Sequence, residues 1–128
     1  MTINELTATI IGAAIKVHRA LGPGLLESAY RACLAYELRK LGLHVEQEKP
    51  VPIVCEDVVV ECGFRADLLV GGLVVVECKA REKLHPIDKV QLASHLRLLK
   101  LQVGLLINFH ELVLKDGIHR IANNYEEE

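Results

Sequence analysis

The chain has 128 residues and a mass of 14.2 kDa, with 51% hydrophobic and 25% charged side chains, which is the length and composition of one soluble globular domain rather than a disordered tail. Its net charge is −2, and residues 1–125 alone come to +1 because Glu126, Glu127 and Glu128 form an acidic C-terminal tail. Bulk charge therefore does not hold this protein to nucleic acid, and any phosphate contact has to come from a local patch.

In chain order, Thr2-Ile3-Asn4-Glu5 has the spacing of a capping box, and Leu6, Ile10, Ala13, Ala14, Val17 and Leu21 recur at helical intervals. The pattern predicts a helix over about 3–20. Gly22-Pro23-Gly24 breaks it, and a second helix follows, with Leu26, Tyr30, Leu34, Leu38 and Leu41 along one stripe and Gly42 placed to end it. From Val45 the period becomes strand-like, with strands expected at about 44–54, 58–69 and 73–79. Pro50 and Pro52 put the first of these at a sheet edge or interrupt it. Pro86 suits the first turn of a third helix running to about 100, with Ile87, Val90 and Leu98 on its inward face. Val103–Ile107 is apolar on both faces, as a buried central strand is. Asp116-Gly117, between Leu112-Val113-Leu114 and Ile118–Ile121, is a hairpin signal. The order is ααβββαβ with a short C-terminal β extension, in a single domain over 1–125.

Cys33, Cys55, Cys62 and Cys78 are spaced too widely for a zinc or iron–sulfur site, and the start lacks a basic segment leading into an apolar one. Free, mostly buried thiols in a cytoplasmic protein are expected. No apolar run approaches the roughly 18 residues of a membrane span. The six histidines show neither HxxxH nor HExxH spacing.

The chemistry lies where polar residues interrupt apolar strands. In Leu73–Lys79, side chains alternate, so Glu77 and Lys79 leave the same face about 7 Å apart while Val74, Val76 and Cys78 enter a core. The same arrangement also occurs in an ordinary ion pair at a sheet rim. Asp67, in the preceding strand, decides between them. With only Gly71-Gly72 as the loop, Asp67 pairs with Val76 and points away from Glu77; with a three-residue loop, 70–72 or 71–73, it lies opposite or diagonal to Glu77 on one face. The odd-length loop is the expectation, and two carboxylates so close call for a cation, with Mg²⁺ or Mn²⁺ suiting hard oxygen ligands.

Gly24-Leu25-Leu26-Glu27-Ser28-Ala29-Tyr30 matches a GxxExxY signature, and Phe64-Arg65-Ala66-Asp67 followed by Glu77-Cys78-Lys79 resembles the D…ExK core of the PD-(D/E)xK nuclease superfamily. The similarity to bacterial GxxExxY proteins runs from about Ile10 to Ile121 and includes Gly22-Pro23-Gly24, Leu105–Phe109 and Lys115–Ile118. The resemblance implies an α+β fold, a nuclease-like mixed β-sheet flanked by helices. It implies that Asp67, Glu77 and the Cys78 carbonyl bind the metal, that Lys79 orients or helps activate the attacking water, and that Glu27 is an extra acidic residue near the metal. Gln91 matches the glutamine of a QxxxY motif whose tyrosine position is here His95. The activity implied is Mg²⁺- or Mn²⁺-dependent hydrolysis of DNA phosphodiester bonds. The other class of reading is a catalytically silent nucleic-acid-binding or protein-assembly module on the same fold. Under either, a homodimer offers a chain this small a way to enclose a substrate.

Tyr30, one turn from Glu27, either holds that carboxylate or a substrate phosphate, or packs with its hydroxyl at the core edge. His95 is one turn from Gln91, and its ordinary reading is a partly exposed helix histidine. Between Arg65 and Lys100, seven basic residues outnumber four acidic ones, so Arg65, Arg81, Lys83, Lys89, Arg97 and Lys100 offer a phosphate-contacting rim. Aromatic side chains are few and Trp is absent, which argues against extended base stacking.

Overall fold

A computed structural model describes residues 1–125; the acidic tail at 126–128 lies outside the described residues. Helix α1 spans Ile3–Leu21 and opens with the expected capping box, in which the Thr2 hydroxyl accepts the Glu5 N–H and the Glu5 carboxylate accepts the Thr2 N–H. Helix α2 spans Glu27–Lys40. Strands β1 (Val45–Cys55), β2 (Val58–Val70) and β3 (Val74–Lys79) follow, then helix α3 (Pro86–Leu99) and strand β4 (Val103–Asn108). A 3₁₀ turn at Leu114–Gly117 leads into β5, Ile118–Ala122.

The strands form one mixed sheet in the order β1-β2-β3-β4-β5. All pairs are antiparallel except β3 and β4, which are parallel and connected through α3, as a parallel pair needs a crossover. One face of the sheet, carrying Leu68, Val70, Val74, Val76, Cys78, Leu105 and Ile107, is covered by α1 and α2. The other face, with Leu69, Val75 and Leu106, is covered by Leu92 and Leu96 of α3. Strand β4 is buried along its whole length. Strand β1 is both an edge strand and interrupted, because its pairing with β2 shifts between Val51 and Ile53, at Pro52.

Three expectations need correcting. The inward face of α3 is not Ile87, Val90 and Leu98, which are 63%, 58% and 49% exposed. Asp88, Leu92, His95 and Leu96 face inward instead. The helix has apolar residues on two sides, and the sheet chooses between them: Gly104 of β4 lacks a Cβ, and one built there would stand 3.0 Å from the Leu92 side chain. The segment Leu112–Leu114 does not pair with 118–121, since β5 pairs with β4 and Asp116-Gly117 belongs to the 3₁₀ turn. All four cysteines are free, but only Cys78 is buried, with Cys33 intermediate and Cys55 and Cys62 exposed. Cys55 and Cys62 lie on the outer part of the β1–β2 hairpin, where Val54, Val58, Val59 and Val60 are exposed as well, so alternation there produces no buried face.

Candidate active site

The loop between β2 and β3 decides where the acids point. Val70 pairs with Val74, so the loop is Gly71-Gly72-Leu73, three residues long, and its two glycines adopt φ of 61° and 67°, a region that costs other residues strain. The ladder then pairs Leu69 with Val75 and Leu68 with Val76 and stops. The next positions are Asp67 and Glu77, opposite each other where the strands cease to pair.

Period-two alternation slips at this point. Phe64 stacks on a side chain of α3 and Ala66 packs on the α3 side, whereas Leu68 packs on the α1/α2 side. The irregularity has a counterpart in β1: Glu48, across from Asp67 between the Gln47/Leu68 and Lys49/Ala66 pairs, has φ of 48°. Asp67 is thereby turned into the gap between β2 and β3, where its Oδ2 accepts the Cys78 N–H at 2.9 Å. The side chain takes a backbone donor on β3 beyond the last paired residues.

Burial, and then the Glu77 charge, push the Asp67 carboxyl up to about 6, against the lowering effect of the Cys78 N–H and of Arg31. Burial and the same two acids also raise the Cys78 thiol, which excludes it as a thiolate nucleophile at neutral pH. Glu77 is 7% exposed, and its Oε1 lies 3.3 Å from His95 Nδ1. His95 in turn stacks on Phe64 with ring centroids 3.9 Å apart. At 7% exposure His95 is not the partly exposed helix residue expected, because Leu92 and Leu96 on either side draw this face of α3 onto the sheet. Phe64, quoted in the sequence only as part of a motif, is the residue that holds the imidazole.

The other predicted residues are distributed around this centre. Lys79, at the end of β3, is half-buried, and its charge helps lower the Asp88 carboxyl. Glu27, the first residue of α2, lies 3.9 Å from the Arg81 guanidinium. Arg81 forms two bonds to Asp88 at 2.9 and 2.7 Å, while its main-chain N–H and carbonyl are both held by the Asn108 side chain. Although burial raises the Asp88 carboxyl, the His85 N–H and Arg81 prevail and keep it below the usual carboxylate range. Arg81 therefore ties the start of α3 to the start of α2 beside the acids. Gln91 and Arg65 are exposed.

Tyr30 has the packing role. It is fully buried, stacks on Phe109 at 4.5 Å, donates its hydroxyl to the Gly22 carbonyl and accepts the Leu25 N–H. No surface of it is left for a phosphate, and Glu27 is not its partner; it fastens the Gly22–Leu26 loop to α2. The basic rim divides between two grooves rather than forming one patch. Lys83 and Lys89 line one of about 590 Å³ with His85 and His119, and Arg97 and Lys100 line another of about 460 Å³.

The donor set at the centre fits a divalent cation. Two carboxylates are held together against repulsion, with Asp67 Oδ2 on the Cys78 N–H and Glu77 Oε1 on His95, and the two side chains lie close enough to share a hydrogen bond when one of them carries a proton, the place a cation would take. Glu27 does not join them as a third direct ligand: among the described residues no group of three or more His, Cys, Asp and Glu side chains is gathered closely enough to hold a metal. Its charge nevertheless reaches Cys78. A hard cation here would be completed by a main-chain carbonyl, water and substrate oxygens.

Comparison with known protein families gives a match of residues 4–121 to the PD-(D/E)XK nuclease superfamily, and the chain belongs to that superfamily. Neither the curated proteins nor the solved structures contain a significant match. Among the described residues no helix is long and apolar enough to cross a membrane.

Proposed function

We propose that this member of the PD-(D/E)XK nuclease superfamily is a GxxExxY-type, divalent-metal-dependent nuclease that hydrolyses DNA phosphodiester bonds. The observation that carries the reading is the Asp67–Glu77 pair, brought together by a three-residue loop with Glu77 buried and Asp67 half-buried, although the Glu77 charge disfavours ionisation of Asp67. A protein gains little from such a pair unless a cation or a proton is bound there.

Asp67, Glu77 and the Cys78 carbonyl would hold Mg²⁺ or Mn²⁺, which supplies a Lewis acid beside the scissile phosphate and lowers the pKa of water. The chain's own groups do the rest. Lys79, following Cys78 on β3, adds positive charge on the Glu77 face as negative charge develops on the phosphoryl oxygens. His95 and Phe64 keep Glu77 in one orientation, so little of its carboxylate has to reorganise during reaction. Glu27, steered by Arg81, stands at the mouth of the site where it can accept from water or a substrate hydroxyl. Gln91, exposed on α3 one turn before His95, is assigned to the substrate side.

The test is cleavage of single- and double-stranded DNA with Mg²⁺ and with Mn²⁺. Wild type is expected to cut and Asp67→Ala and Lys79→Ala to lose at least about a hundredfold in rate, as removal of a charge-stabilising group does. Cleavage that survives both substitutions overturns the reading, and absence of cleavage on every substrate leaves the silent binding module in its place.

A further inference from the structure

One basic side chain in the site region is not explained by the fold. Arg31 follows Tyr30, whose burial and loop hydrogen bonds set the rotation of α2, and it stands one helical turn beyond Glu27 on the same face. Its side chain is only 19% exposed. One terminal nitrogen lies 3.2 Å from Glu48 Oε1, whereas Nε is fully buried and has no hydrogen-bond partner among the described residues. A buried guanidinium N–H without an acceptor is uncommon and costly in a folded protein.

Its ion-pair partner is held on different terms. Glu48 lies across from Asp67 in the register, its side chain is 56% exposed, and its φ of 48° places a non-glycine residue in the left-handed region. The arginine is fixed inside and the glutamate sits at the rim on a strained backbone. The guanidinium charge also reaches Asp67 and Cys78, so this pair borders the acids rather than a distant seam between α2 and β1. An arginine in that position has a fork of donors suited to a phosphate, and the carboxylate resembles the anion such a fork accepts.

We propose that Arg31 is a phosphate-binding residue of this site: Glu48 occupies the guanidinium until a nucleic-acid strand displaces it, and that displacement frees the arginine side chain to bring Nε, buried beforehand, and a terminal nitrogen onto non-bridging phosphate oxygens. The proposal deepens the nuclease reading and rests on it for the identity of the ligand.

Binding of a fluorescein-labelled oligonucleotide, single- and double-stranded, followed by anisotropy in EDTA over a salt series, tests it without cleavage. Arg31→Gln is expected to weaken binding about five- to tenfold and to reduce the slope of log affinity against log salt by about 1. Arg31→Lys keeps the charge but not the Nε donor and falls between. Glu48→Gln is expected to tighten binding about threefold, because the competing carboxylate is gone. Thermal unfolding of each variant accompanies the binding data, and Glu48→Gln and Arg31→Lys keep the test decisive should Arg31→Gln not fold. Unchanged affinity and slope in Arg31→Gln overturns the proposal, as does weaker binding in Glu48→Gln, the result of a purely structural ion pair. Metal-dependent cleavage, assayed separately, distinguishes the two readings. Asp67-dependent cleavage with Arg31 substitutions silent in binding removes Arg31 alone. Arg31-dependent binding without cleavage under any metal removes the nuclease and keeps the phosphate contact. A wild type that neither binds nor cuts removes both.

Discussion

At neutral pH without a cation, the Asp67 carboxylate is a destabilising charge. Its folded-state value of about 6 lies above its ordinary 3.8, so between those values the folded protein binds the extra proton and stability falls as pH rises. Below about pH 4 the penalty is absent; above about pH 6 it is complete. Allowing for solvent screening at this partly exposed group, it amounts to about 1–2 kcal/mol. Metal-free wild type is therefore expected to melt several degrees lower at pH 7 than Asp67→Asn, with the difference shrinking toward pH 4 in differential scanning calorimetry. Equal pH dependence in the two proteins would contradict the electrostatic picture. His95 makes a separate prediction at this scale. Because Phe64 holds the imidazole and the imidazole holds Glu77, His95→Ala is expected to weaken Mn²⁺ binding about tenfold, and Phe64→Ala to move it in the same direction. Titration calorimetry checks this, and unchanged affinity in both would make the contact mere packing.

The elements most easily read from the sequence were those whose ends are set locally. Thr2 and Glu5 cap α1, Gly42 follows α2, and Pro86 opens α3, each through chemistry confined to a few neighbouring residues. The face of α3 was not local information, since Ile87, Val90 and Leu98 compete with Leu92 and Leu96 until Gly104 on β4 receives Leu92. Likewise Leu112–Leu114 has strand composition, yet β5 already occupies the edge of β4. The loop Gly71-Gly72-Leu73 is the element on which the site depends most. Deleting Val74 while keeping this three-residue turn pairs Val70 with Val75, shifts the β2–β3 pairing by one and places Glu77 opposite Leu68, turning it from the α3 side toward the α1/α2 core. The deletion variant is expected to lose Mn²⁺ binding by at least about tenfold while keeping its helical circular dichroism. Full retention of binding would mean that register does not create the site.

For the molecule as a whole, the order of elements and both candidate acids were legible, since an odd loop length sets Asp67 opposite Glu77, whereas the slip of alternation in β2 that turns Asp67 into the gap was not. Nor were the groups that hold the acids. Phe64 with His95, Asn108 with Arg81 and Arg31 with Glu48 join residues 17 to 31 apart in the chain through side-chain contacts that no spacing encodes. Tyr30 shows the converse, a residue whose motif position suggested chemistry and whose fully buried ring serves the loop instead. The superfamily match supplies the nuclease-like fold, and activity depends on whether the assembled centre takes its cation. Calorimetric titration of the metal-free protein with Mn²⁺ at pH 7 addresses that directly. Saturable binding is expected, weakened at least about tenfold by Asp67→Asn and by Glu77→Gln and retained by Lys79→Ala. No binding by wild type, or binding undiminished in both carboxylate variants, would contradict a metal centre between β2 and β3.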